Sequence, residues 1–326
     1  MSSLGSFENL LDMSLVLVRN EGDCKERQIE EIVYKLADSP IFENLDINEI
    51  KKVIKKVQNI EGISMEEASC IMGDDPNFVE WLPPERIEES FQNDIQYSED
   101  YLKYLKAEEK FPGKVVSRID QATKKILGLC GDPANNNLWE RRGMVVGSVQ
   151  SGKTANYISL INKAADFGYK VIIVIAGRDN NLRQQTQKRI NEGFIDQKIW
   201  KDVKRPFSIT NILNDFDAPA LQRIAFKLEK DERPVVAVIK KNTRVLNNLK
   251  KYFSNSKVFK NGKINLPMLL IDDGADNASI NTKYGNEEDD PTRINRDIRE
   301  ILNMFTKSSY VGYTATPFAN IFIDPD

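Results

Sequence analysis

The sequence contains no histidine. That removes Ser-His-Asp and Cys-His catalysis, His-ligated zinc and the HExxH metalloprotease pattern together. Cysteine is almost as scarce. Cys24, Cys70 and Cys130 lie far apart and form no CxxC pair, so reduced thiols in a cytoplasmic protein are expected, not a disulfide framework. No apolar run approaches the ~20 residues that cross a bilayer. Met1–Gly5 has neither the basic start nor the apolar stretch of a signal peptide. What the chain does have is 326 residues, 40% hydrophobic and 29% charged, enough to bury a core and to fill two domains.

A net charge of −3 conceals a division. Residues 1–100 carry 9 basic against 23 acidic side chains, whereas residues 101–326 carry 37 against 26. An acidic front end on a basic body implies two modules with different partners. Residues 1–130 read as a helical domain with no catalytic signature, suited to a protein partner. Lys25–Leu36, Ile47–Val57 and Ser98–Lys110 space apolar residues three and four apart among charges. Lys51, Lys52, Lys55 and Lys56 then form a solvated helix face.

Residues 131–326 follow another pattern. Short apolar, β-branched runs (Met144–Val146, Lys170–Ala176, Val235–Ile239, Leu266–Ile271, Tyr310–Tyr313) alternate with helical stretches (Thr154–Phe167, Leu182–Asn191, Ala220–Lys230, Arg293–Phe305). Near-continuous apolar strands between helices predict an α/β fold with a parallel sheet covered on both faces. Gly147-Ser148-Val149-Gln150-Ser151-Gly152-Lys153-Thr154 fits G-x-x-x-x-G-K-[ST], with an apolar strand before it and an amphipathic helix after it. Glycines let such a loop curl until its backbone amides face phosphates, and the helix dipole adds to them. Lys153 is expected to neutralise the β- and γ-phosphates of ATP, and the Thr154 hydroxyl to ligate Mg²⁺. A metal-binding partner is expected at the end of another buried strand, where Met268–Ile271 runs into Asp272-Asp273-Gly274-Ala275-Asp276.

Asp273–Asp276 resembles the DEAD-type motif II of superfamily-2 helicases, with Gly where Glu is expected. Gly312-Tyr313-Thr314-Ala315-Thr316-Pro317 resembles motif III of that superfamily, especially of its restriction-enzyme translocases. More specifically, Arg142–Gly147, Asp273–Thr282 and Thr314–Asn320 are similar to the Z1 domain family of endonuclease-associated ATPases. Ala176-Gly177-Arg178 with Asn181–Gln187 resembles that family's motif Ia region, and Lys240-Lys241-Asn242-Thr243 another of its segments. The resemblance covers about residues 140–322 and implies a RecA-like P-loop ATPase lobe acting on DNA in a bacterial restriction or phage-defence system.

The resemblance also implies roles. Asp273 holds Mg²⁺, Asp276 belongs to the nucleotide site, and Thr314, Ala315 and Thr316 couple hydrolysis to movement. Gly274 stands where a glutamate would position and deprotonate the attacking water, and it has no side chain to do so. Two readings follow. In one, nucleotide binding survives while hydrolysis is crippled; in the other the register shifts, with Asp272 on the metal and Asp273 on water. The chain ends at Asp326, just past motif III, so a second lobe in a longer protein is expected. Loops after the strands face nucleic acid in such lobes, which makes Arg178, Arg183, Lys240, Lys241, Asn242 and Thr243 candidates for phosphate contact. Two rivals remain: a nucleotide-gated interaction module without motor activity, and another P-loop kinase or GTPase. Thr314-Ala315-Thr316 and the lack of an Asn-Lys-x-Asp motif argue against the last.

Overall fold

The computed structural model describes residues 3–21, 26–42, 45–60, 69–72, 81–82, 97–146, 152–196, 205–216, 228, 233–274 and 291–314. The chain divides into two compact units. One comprises Met1–Glu67, Leu105–Arg118 and Gln150–Gly152; the other comprises Ala68–Tyr104, Ile119–Val149 and Lys153–Asp326.

Three helices dominate the first unit: α1 (Ser3–Glu21), α2 (Glu26–Ala37) and α3 (Ile47–Ile60). Asp46 starts α3 by accepting the Asn48 and Glu49 amides, while Glu49 accepts the Asp46 amide. This reciprocal capping box satisfies amides that the helix cannot. Apolar side chains at helical spacing then close a small core of Leu10, Leu11, Val18, Ile29, Val33, Phe42, Val53, Ile54 and Val57. Lys51, Lys52, Lys55 and Lys56 face solvent, as the periodicity predicts.

Two more helices, α4 (Tyr97–Ala107) and α5 (Gly113–Leu129), precede the α/β region. Its strands are β1 (Ser69–Met72), β2 (Trp139–Val146), β3 (Val171–Ala176), β4 (Phe207–Ser208), β5 (Val235–Ile239), β6 (Phe259–Lys260), β7 (Lys263–Asp273) and β8 (Phe305–Thr314). Among the described residues they form one sheet in the order β1-β2-β8-β7-β3-β5-β4, with β6 pairing β7. The six strands from β2 to β4 are parallel, and β1 and β6 are antiparallel additions. β1 lies within the stretch that reads as helical. Four residues paired to β2 in antiparallel register place it at the sheet's edge.

Crossovers run through α6 (Lys153–Asp166), α7 (Asn180–Ile190), α8 (Thr243–Ser254) and α9 (Pro291–Asn303). The expected helix over 220–230 lies outside the described residues apart from Leu228. Every residue of β3 and β5 is buried, which is why both read as unbroken apolar runs. Alternation still sorts the two faces. Val171, Ile173, Ile175, Met268 and Leu270 join the cluster that holds Leu246, Leu249 and Phe253 of α8 and Ile298 and Ile301 of α9. Ile172, Val174, Leu269 and Ile271 have the opposite parity and are buried on the other face, where α6 packs against β7. The fold is thus the expected α/β lobe, consistent with a RecA-like arrangement.

Candidate functional site

Parallel strands deliver their C-terminal ends to one edge of the sheet, where α/β folds bind ligands. β2 ends at Val146 and α6 begins at Lys153. Between them Gly147, Ser148, Val149, Gln150 and Ser151 lie outside the described residues. Gly152 has φ +67°, a left-handed conformation that glycine adopts without penalty. Lys153 and Thr154 therefore occupy the first turn of α6. β8 stands between β2 and β7, with Val146 opposite Thr314 and Asp273 opposite Tyr313. Thr314 is buried; Asp276, Ala315 and Thr316 lie outside the described residues.

Asp273 is half-buried at the end of β7. Burial pushes its carboxyl above the usual range, the Tyr157 hydroxyl and the Lys153 and Arg189 charges oppose this, and Asp272 adds to the rise. Arg189 Nη1 donates to the Thr154 hydroxyl at 3.0 Å. Tyr157 is buried, and its hydroxyl is raised first by burial and then by Asp273. Its ring meets Tyr313 edge-on at 5.6 Å, and the Tyr313 hydroxyl donates to Asn156 Oδ1 at 2.8 Å. α6 is thereby pinned to β8 beside the strand that carries Asp273.

Lys153 and Thr154 at the start of α6 and Asp273 at the end of β7 thus lie on one face of the sheet, where α6 packs against β7. A hydroxyl and a carboxylate are hard oxygen donors suited to Mg²⁺, and the adjacent lysine suits phosphate. Among the described residues no three acidic or cysteine side chains gather into a metal site. A cation here would complete its shell from phosphate oxygens and water, as Mg²⁺ commonly does.

Asp272 belongs elsewhere. The residue is 2% exposed, and Lys241 Nζ donates to both of its oxygens at 3.0 and 2.9 Å. The Tyr310 hydroxyl donates to Oδ2 at 3.0 Å. A carboxylate held by three donor hydrogen bonds beneath the surface is not placed to bind a cation beside Thr154. The shifted register, with Asp272 on the metal, is therefore not what the geometry assembles. Gly274 has φ +94° and its amide donates to the Tyr313 carbonyl at 3.0 Å. A side chain at that backbone conformation costs roughly 1–2 kcal/mol.

The candidate nucleic-acid residues separate into two groups. Lys241 is 0% exposed and Arg183 1% exposed, and of the two only Arg183 lines the polar cleft of Lys240 and Asn242. Lys241 is committed to Asp272, and the Arg183 guanidinium donates to the Asn211 and Ile212 carbonyls at 3.0 and 2.6 Å. Arg178, Lys240, Asn242 and Thr243 retain partial exposure. Lys240 and Asn242 line a polar cleft of about 270 Å³ with Asn180, Arg183, Asp215 and Arg244. Two helices begin there. Asp179 caps α7 by accepting the Asn181 amide, and Asn242 caps α8 by accepting the Arg244 and Val245 amides. Burial pushes the Asp215 carboxyl up; the Phe216 amide and the Arg183 charge, among others, oppose it.

Tyr157 and Arg189 escape the sequence reading. Tyr157 follows Thr154 by three residues on one helix face, a spacing that could have revealed it. Arg189 gives no such signal, because only the packing of α7 brings it to the site.

A lysine and a threonine at the start of α6, and a carboxylate at the end of the strand beyond β8, stand at the edge where α/β lobes bind ligands. Residues 114–319 match the family profile of the type III restriction enzyme res subunit, ResIII, and the chain belongs to that family. It is a superfamily-2 helicase-like, ATP-binding protein of the restriction type. No curated protein matches the chain, and no solved structure does. Among the described residues no helix is long and apolar enough to cross a membrane.

Proposed function

We propose that this chain is the ATP-binding first lobe of a DNA translocase or helicase of Z1 type, serving a bacterial restriction or phage-defence system, with hydrolysis impaired at Gly274. The observation that supports the reading is that Lys153 and Thr154 open α6 on the face of the sheet to which Asp273 belongs at the end of β7. Lys153 neutralises the β- and γ-phosphates, and Thr154 and Asp273 hold Mg²⁺. The metal, when bound, supplies charge neutralisation at the phosphates. The remaining step, activation of water, has no carboxylate at position 274. Asp272 does not replace it, because Lys241 and Tyr310 hold both of its oxygens.

DNA phosphates fit the cleft of Lys240, Asn242 and Arg244, where two helix N-termini add their dipoles. Titrating a fluorescent ATP analogue with and without Mg²⁺, beside ATP turnover, tests the reading. Mg²⁺-dependent binding with turnover near background is expected, and binding indifferent to Lys153→Ala would overturn it.

A second reading is a nucleotide-gated interaction module without motor activity, its acidic helical unit docking a protein partner. The observation favouring it is that α1 leaves Met13, Val16 and Leu17 exposed at helical spacing. Salt-dependent binding of an oligonucleotide separates the two, since only the first reading places DNA phosphates on this lobe.

A further inference from the structure

Lys241 is a fully buried lysine that neither the P-loop nor the cleft accounts for. It follows β5, and its amide donates to the Gly177 carbonyl at the end of β3 at 2.7 Å. Its ammonium crosses to the end of β7. There it binds both oxygens of Asp272 and also the Gly274 carbonyl at 3.2 Å. Asp272 and Gly274 are the two chain neighbours of Asp273. One ammonium therefore holds the residue on each side of Asp273.

Strand alternation makes this arrangement necessary. Asp272 shares the parity of Met268 and Leu270 and points to the α8 face; Asp273 shares the parity of Leu269 and Ile271 and points to the α6 face. The side chains around Asp273, namely Lys153, Tyr157 and Arg189, belong to α6 and α7. From the α8 side its direction is set through the backbone at 272 and 274. Gly274, with no side chain and a left-handed backbone, has little of its own to fix that direction. Three contacts complete the frame: Tyr310 on Asp272, Lys241 on both neighbours, and the Gly274 amide on the Tyr313 carbonyl.

We propose that Lys241 is a positioning residue of the nucleotide site, which aims Asp273 at the cation by clamping the residues on either side of it. The proposal rests on Asp273 being the Mg²⁺ ligand of a nucleotide site. Lys241 touches neither nucleotide nor metal. Its effect is confined to the share of nucleotide affinity that Mg²⁺ contributes, because the phosphate loop and Lys153 lie on α6 and its approach.

The test titrates a fluorescent ATP analogue, with Mg²⁺ and with EDTA, into the 326-residue chain, its Lys241→Met variant and a Lys241→Met/Asp272→Leu double variant. Thermal unfolding is followed in parallel. Lys241→Met leaves Asp272 buried and unpaired and lowers the unfolding midpoint. The double variant removes both charges and recovers the midpoint, so it decides the matter even where the single variant fails to fold. Both variants are expected to lose about tenfold or more of the Mg²⁺-dependent gain, while affinity in EDTA stays within about twofold of the parent. Recovery of the Mg²⁺ gain in the double variant would overturn the proposal, reducing Lys241 to a counter-ion for Asp272. A gain retained by Lys241→Met does the same. A parent chain that shows no Mg²⁺-dependent affinity instead overturns the nucleotide-site reading, and the proposal with it.

Discussion

Asp272 and Asp273 are neighbours in sequence, yet they serve opposite faces of the sheet. Asp273 faces α6, among Lys153, Tyr157 and Arg189. Asp272 faces α8, buried under Lys241 and Tyr310. The same division holds for the edge as a whole. On the α6 side Gly152 leads into a helix that starts with Lys153 and Thr154, which the proposed reading assigns to a metal-bound phosphate chain. On the α7 and α8 side the helix starts are already capped by Asp179 and Asn242. Their contribution is a polar cleft carrying Lys240 and Arg244, better suited to single phosphates of a strand backbone. The proposed function thus assigns two anion sites of different chemistry to one edge, and substitutions should separate them.

The largest separation is expected at Lys153. Lys153→Ala removes the charge aimed at the phosphates and should weaken binding of an ATP analogue by about 2 kcal/mol or more, at least thirtyfold. Binding of a single-stranded oligonucleotide should change by less than twofold in the same preparation. Equal losses in both would merge the two sites into one. Asp273→Asn comes next. It should abolish most of the Mg²⁺-dependent gain, about tenfold, and leave affinity in EDTA unaltered.

How much of this could be read from residue order alone varies with the physics at each position. β3 and β5 are legible because strands buried on both faces must be continuously apolar. The helix after the glycine motif is legible because Thr154–Phe167 carries an amphipathic pattern, and α6 covers Lys153–Asp166. β1 is not, since Ser69-Cys70-Ile71-Met72 is a short edge strand whose pairing with β2 depends on a distant segment. The lysine pair shows the limit most clearly. Lys240 and Lys241 are identical in composition and local context, yet one lines a cleft and the other is wholly buried. A lysine survives burial only with a partner, and its partner, Asp272, lies on another strand. Strand alternation already implied that Asp272 and Asp273 point apart. Which of them meets α6 was decided only by packing.

The cleft side should respond to milder changes. Lys240→Ala with Arg244→Ala should reduce oligonucleotide affinity by about 1–2 kcal/mol at low salt. It should also flatten the dependence on salt by about one counterion for each phosphate that is no longer neutralised. Nucleotide affinity should stay within twofold. A salt slope unchanged by the double substitution would remove the cleft from any nucleic-acid path, and a fall in nucleotide affinity would show the two faces to be energetically joined.

The smallest effect on either ligand is expected from the far end of α6. Asp166 accepts the Tyr97 and Ser98 amides at 2.6 and 2.9 Å and so caps α4. Burial pushes its carboxyl from 3.8 up to about 7, with Ser98, the Tyr97 amide and Lys163 opposing. A carboxyl whose folded pKa lies above its unfolded value favours the folded state when protonated. Its contribution is therefore full below about pH 4 and is lost as the pH rises through 7. Between pH 6 and 8 that loss amounts to about 1 kcal/mol, or ~2–4 °C in the unfolding midpoint. Asp166→Asn cannot titrate, so its midpoint should lack this fall, a difference that parallel unfolding curves across the pH range would reveal. Asp166 lies about 20 Å along α6 from Lys153. If the two ends are independent, the substitution should leave Mg²⁺-nucleotide affinity and oligonucleotide affinity unaltered at pH 8. A change in the first alone would mean that the capping of α4 reaches the phosphate loop through α6, and the contrast between the two faces would then extend along the whole helix.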